Sequence, residues 1–143
     1  MKPSSLVINT NGEKFYDITD QIKSEASKLI SKAKTKSGVL TICCMHTSCG
    51  LTLNESYDPS AAFDMQNFLK HLAPRDLSLL THTIEGPDDG SSHLKTMLIN
   101  NSLQFIVDES ELMIGTWQGV FLCEFRDRPH QRKIILKFQA DHT

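Results

Sequence analysis

At 143 residues the chain suits a single domain spanning residues 1–143, and a domain of that length buries roughly 68–70% of the surface its unfolded form exposes, enough for a core without staples. Its 15 basic and 17 acidic side chains leave a formal charge of -2, which supplies no general attraction to phosphate backbones or anionic membranes and argues against nucleic acid as a partner. Apolar runs stay far below the ~20 residues of a membrane span, and Met1-Lys2-Pro3-Ser4-Ser5 lacks a signal-peptide core, so the expectation is a cytoplasmic protein with no membrane partner.

In chain order, Leu6-Val7-Ile8 reads as a strand, Asn11-Gly12 as a hairpin turn and Phe15-Tyr16-Asp17-Ile18 as the returning strand, predicting an opening β-hairpin. Thr19 or Asp20 can cap a helix whose apolar positions Ile22, Ala26, Leu29 or Ile30, and Ala33 recur at helical spacing. Gly38 supplies the turn after it, and Val39-Leu40-Thr41-Ile42-Cys43-Cys44-Met45 reads as a buried strand ending at His46. The small-polar loop that follows carries the hydroxyls of Thr47 and Ser48, which suit either a ligand or a chain turn. Asp58-Pro59 marks a second helix, striped by Ala62, Met65 or Gln66, Leu69 and Leu72 and ending before Pro74, with His71 on its solvated surface.

Two histidines, His82 and His93, flank an acidic loop punctuated by the turn signals Gly86-Pro87 and Asp89-Gly90, which can fold back and bring both rings to one side. Ser91 or Ser92 then caps a short third helix from His93 to about Ile99, putting His93 and Lys95 in its first turn, where a phosphate is favoured. Strands follow at Leu103–Val107, Leu112–Ile114, Gln118–Phe125 and Lys133–Gln139, an antiparallel meander. The expected fold class is therefore α+β, two main helices and a short third against one or two mostly antiparallel sheets.

Cys43, Cys44, Cys49 and Cys123 contain no Cys-x-x-Cys pair and read as reduced, mostly buried thiols. A rival metal set of Cys44, His46 and Cys49 matches none of the usual zinc spacings. Trp117, between Gly115 and Gly119, reads as core or as a place of close approach to a ligand or subunit. Arg126, Arg128 and Arg132 around Pro129 read equally as a solvated hairpin or an anion site. Three imidazoles at loop and strand ends, His46, His82 and His93, make a metal site the leading chemical reading, with zinc the best match to imidazole and magnesium the alternative.

His46-Thr47-Ser48 with Leu53-Asn54-Glu55 and Asp58-Pro59, then His82, Glu85-Gly86, Asp88-Asp89, His93-x-Lys95, Gly115-Thr116-Trp117-Gln118-Gly119, Glu124 and Arg132, together resemble the YjbQ family, described as secondary thiamine-phosphate synthases. The likeness runs in order from about residue 38 to the C-terminus. It implies a small α+β domain with a sandwich-like sheet, assembled as a homotrimer, with a metal held by His46, His82 and His93 near the subunit boundary. By the same resemblance Glu55, Asp89, Lys95, Glu124 and Arg132 are the candidate catalytic residues, and Trp117 and Gln118, with Thr47 and Ser48, the ligand-binding ones. The chain departs from the family pattern at Asn100-Asn101-Ser102, at Asp108-Glu109-Ser110-Glu111 and at Arg126-Asp127-Arg128-Pro129-His130-Gln131.

The implied reaction joins a pyrimidine diphosphate to a thiazole phosphate, so negative charge must be stabilised on the departing diphosphate; a divalent cation, Lys95 and Arg132 are suitable groups. A metal-activated water attacking a phosphate or acyl ester, with Glu55 or Asp89 as base, needs the same histidines. A third reading is a non-catalytic trimeric module that sequesters a small phosphorylated molecule or a metal.

Overall fold

The computed structural model describes residues 1–142, an α+β arrangement of two antiparallel sheets and three α-helices. In order these are β1 (Ser4–Asn11), β2 (Lys14–Asp17), α1 (Thr19–Ser31), β3 (Gly38–Cys44), β4 (Cys49–Glu55), α2 (Pro59–Leu72), a 3-10 turn (Leu77–Leu79), α3 (Pro87–Thr96), β5 (Ser102–Asp108), β6 (Glu111–Leu112), β7 (Gln118–Glu124) and β8 (Pro129–Ala140). One sheet has the order β1-β8-β3-β5-β6 and the other β2-β7-β4. Among the described residues, no helix is long and apolar enough to cross a membrane.

Strand periodicity explains where the core forms. On β8 every second residue, Arg132, Ile134, Leu136 and Phe138, is buried, as are Leu40, Ile42 and Cys44 on β3. These side chains meet Leu51 of β4 and Val120 and Leu122 of β7, so the main core lies between the two sheets, with α1 adding Ile22, Ala26, Leu29 and Ile30. Strand β7 is buried on both faces: its other side chains, Phe121 and Cys123, join Phe15, Leu69 and Phe125 in a second cluster beneath α2.

The predicted opening hairpin does not form. The turn is present, with Gly12 at φ +95°, but β1 pairs along its whole length with β8, and β2 pairs with β7. An isolated two-stranded ribbon is marginal in water, whereas splitting the strands lets Ile8 enter the main core and Phe15 the second. The expected C-terminal meander is corrected in the same way: β5 and β6 form a hairpin, but β7 leaves for the other sheet. Gly38 serves packing as well as turning, because a Cβ there would lie 2.2 Å from the carbonyl oxygen of Gln139 on β8.

Helix α2 starts as its sequence predicts, Asp58 accepting from the amide of Ser60 at 2.9 Å with Pro59 in the first position. Helix α3 starts at Pro87, more than a full turn before the expected His93. Gly86 is its N-cap and Pro87 its first residue, so Asp88 and Asp89 occupy the first turn and His93 and Lys95 the last. Carboxylates suit the positive end of a helix, and Gly-Pro pre-sets the entry, which is why the acidic loop is helix instead.

Candidate metal centre

The early start of α3 builds the centre. Asp89 and His93, four residues apart, fall on one helix face, and the segment ahead of the helix folds back over that face. Gly90 permits this closeness, since a Cβ there would stand 2.8 Å from the carbonyl oxygen of His82. As a result His82 Nε2 lies 3.1 Å and His93 Nε2 3.2 Å from the same oxygen, Oδ2 of Asp89. Among the described residues this is the one group of three metal-ligand side chains whose donor atoms all lie within 4.8 Å of one another.

A hydrogen bond behind the centre places one ring hydrogen. Nδ1 of His93 stands 2.8 Å from the carbonyl oxygen of Thr47, which can only accept, so the hydrogen is on Nδ1. A neutral His93 ring therefore turns the lone pair of Nε2 toward Asp89 Oδ2, itself an acceptor. Two acceptors at that separation repel unless a proton or cation lies between them. Bonds of ~2.0–2.1 Å to a tetrahedral zinc would space neighbouring ligands by about 3.3 Å, which matches the two imidazole-to-carboxylate distances. Two imidazoles and one carboxylate, with a position left open, are a donor set that suits catalytic zinc, and the carbonyl behind His93 is the usual outer support.

His46 lines the same cavity, of about 570 Å³, with Thr47, Cys49, Gly50, Thr96, Met97, Asn100 and Asn101. It does not join the ligand cluster. Its Nε2 accepts from the backbone N–H of Lys133 at 2.7 Å, so in the neutral ring Nδ1 carries the hydrogen. Burial, then the nearby Arg132 charge, holds its pKa below the ordinary imidazole value, keeping the ring neutral. The expected set of His46, His82 and His93 shares this cavity, but only His82 and His93 gather on Asp89, and His46 stands apart as a hydrogen-bond donor on the wall.

Other expected site residues lie elsewhere. Glu124 and Arg132 are 0% and 4% exposed and face each other between the sheets, Arg132 donating to both carboxylate oxygens at 2.7 and 2.6 Å. Thr10 donates to the same carboxylate at 2.5 Å, and Ser48 accepts from Arg132 at 2.9 Å. Desolvation raises the Glu124 pKa, but the Arg132 and Thr10 hydrogen bonds outweigh it and hold the carboxyl below its ordinary value. Thr10, Glu124 and Arg132 are inward positions two residues from Ile8, Leu122 and Ile134, so strand register buries their polar groups and obliges them to pair.

Lys95 is 1% exposed and donates to Glu13 at 2.7 Å, away from the histidine cavity. This corrects the expected phosphate site: it stands in the last turn of α3, where a cation is favoured by the helix dipole. Glu55, Trp117 and Gln118 are remote as well. Strand β4 runs from Cys49, on the cavity wall, to Glu55, and six steps of about 3.3 Å separate its ends by about 20 Å. Trp117 is 56% exposed and packs edge-to-face on Tyr57 with ring centroids 4.6 Å apart, so it is not a core residue. Gln118 turns its side-chain oxygen to the amide of Gly115 at 2.8 Å.

Arg126, read from the sequence only as part of a charged turn, reaches the centre. It donates to Asp89 Oδ1 at 2.8 Å and to Asp88 Oδ2 at 2.9 Å. Nothing in its local sequence distinguished it from Arg128. Cys44 and Cys49 stand 3.5 Å apart at sulfur and, like Cys123, are buried free thiols.

The model of a family described as UPF0047 protein YjbQ-like matches residues 4–141. A UPF0047 protein of Methanocaldococcus jannaschii is 40% identical, over 94% of this chain and 91% of its own. Another from Synechocystis is 35% identical, over 95% of this chain and 90% of its own. The crystal structure of a conserved hypothetical protein from Thermus thermophilus superposes with a TM-score of 0.82 at 32% identity, covering 95% of this chain and 99% of the other. With sequence, architecture and extent in agreement, the chain belongs to the YjbQ-like UPF0047 family.

Proposed function

We propose that the chain is a divalent-metal enzyme acting on a small phosphorylated molecule, with zinc at His82, Asp89 and His93, and that its reaction is of the thiamine-phosphate-synthase type. The observation that carries this reading is the approach of two imidazole Nε2 atoms to one carboxylate oxygen, at 3.1 and 3.2 Å, beside an open cavity. A divalent ion bound there supplies Lewis-acid stabilisation of charge on phosphoryl oxygens. In the neutral ring the Thr47 carbonyl places the hydrogen of His93 on Nδ1 and leaves the Nε2 lone pair for an ion, and Asp89 is held in place by Arg126. Nδ1–H of His46 offers the cavity a hydrogen bond to a substrate oxygen, and the depressed pKa keeps that ring uncharged near neutral pH. The implied homotrimer belongs to the same proposal: Glu55, Trp117 and Gln118, remote within one chain, reach a histidine centre only from a second copy.

Hydrolysis of a phosphate or acyl ester is the second reading, and one observation favours it. Lys95 and Arg132, the cations expected to receive a departing diphosphate, are both committed to buried ion pairs. Zinc-loaded protein is to be incubated with the pyrimidine diphosphate and thiazole phosphate, and separately with simple phosphate and acyl esters, beside His93→Ala. Thiamine phosphate and diphosphate in equal amounts, lost in the variant, bear out the synthase; ester cleavage alone replaces it with a hydrolase. Saturable substrate binding without product leaves a sequestering module.

A further inference from the structure

Asp89 is shared between a pair of histidines and an arginine, and the two sides take different oxygens. Oδ2 faces His82 and His93, while Oδ1 accepts from Nη1 of Arg126 at 2.8 Å. The guanidinium is itself held from several sides. Its Nε donates to Asp88 at 2.9 Å, and Nη1 lies 3.6 Å from a carboxylate oxygen of Glu85. The turn that carries it is pinned too, the amide of Asp127 donating to Asp88 at 3.2 Å and that of Arg126 to Glu124 at 3.3 Å.

A free carboxylate can clasp an ion through both oxygens. With Oδ1 engaged by a charged, rigid donor, Asp89 has a single oxygen to give. We propose that Arg126 is a specificity-determining residue of the metal centre, restricting Asp89 to one-oxygen ligation and so selecting ions of low coordination number over those that need many oxygens. This inference rests on the metal-centre reading above. Calcium takes six to eight oxygen ligands and magnesium demands an octahedron, whereas zinc is content with three protein ligands and one open position. Arg126 itself touches no substrate; it acts through Asp89.

The test is cobalt(II) and zinc binding to the full chain, read by visible absorption and by competition with magnesium and calcium. The wild type is expected to give the intense absorption of a four- or five-coordinate cobalt site, lost in His93→Ala. In Arg126→Met, freed Oδ1 should raise the coordination number, weakening that absorption, and zinc affinity should fall by the ~10–100-fold typical of lost outer support. Arg126→Lys, whose ammonium still reaches for Oδ1, should retain the wild-type spectrum with an intermediate affinity. If Arg126→Met does not fold, Arg126→Gln takes its place, keeping bulk without the charge or the reach. A spectrum and affinity unchanged by loss of the guanidinium overturn the proposal, as does a lysine variant that behaves like methionine. Absence of cobalt and zinc uptake by the wild type instead removes the metal centre itself.

Discussion

Two ionic clusters drawn from the same family motif have opposite surroundings. Around Arg132 and Glu124, every polar atom is matched in a buried setting; around His82, Asp89 and His93, two imidazole nitrogens gather on one carboxylate oxygen beside an open cavity. Paired charges with complementary donors and acceptors are scaffold, and imidazoles gathered on one carboxylate oxygen at an open cavity can take an ion. Motif membership alone does not separate the two; burial and the partners each group finds do.

The contrast can be broken first at the scaffold. Glu124→Ala leaves Arg132 charged and unpaired between the sheets, and we expect about 3–5 kcal/mol of lost stability in denaturant melts. A loss of under about 1 kcal/mol would mean that water reaches the pair. Acid should expose part of the same energy. Because the folded pKa of Glu124 lies below its ordinary 4.5, its contribution is fully present above that value and fades as pH falls through the depressed one. Glu124→Gln should flatten that portion of the stability curve on the acid side of the ordinary carboxylate value; an unchanged slope assigns acid unfolding to other carboxylates.

The centre should respond in the opposite sense. His93→Ala is expected to weaken zinc binding by more than the ~10–100-fold of an outer-support change, measured by competition with a chelator. Its metal-free stability should move by less than about 1 kcal/mol, since the ring is partly exposed. Equal zinc retention by wild type and variant would dissolve the distinction between the clusters. Smallest of all, Trp117→Ala should cost the dilute single chain about 1 kcal/mol or less, because its main aromatic contact is the exposed Tyr57. A loss near 3 kcal/mol would place that face against other protein.

Local signals carried much of the architecture. Asp58-Pro59 and the spacing of Ile22, Ala26, Leu29 and Ile30 locate α2 and the buried face of α1, because caps and helical stripes are settled within a few residues. Strand partners were not legible: Asn11-Gly12 specifies a turn, but whether β1 turns to β2 or to β8 depends on residues more than a hundred positions away. Gly86-Pro87 was visible too, yet the same dipeptide serves turns and helix starts, and reading it as a turn misplaced Lys95. The family motifs named His82, Asp89 and His93 as site residues, and the fold gathers the three. They could not reveal that His46 is occupied by a strand amide or that Arg126 stands behind Asp89, since both contacts depend on tertiary register.

The placement of Trp117 has a practical consequence. The chain contains one tryptophan, and its indole lies at the surface of the isolated chain, so the protein carries its own unlabelled fluorophore. Emission from dilute chains should be red-shifted and readily quenched by acrylamide, and any association that covers this edge should shift it to the blue, letting a simple dilution series report on self-assembly.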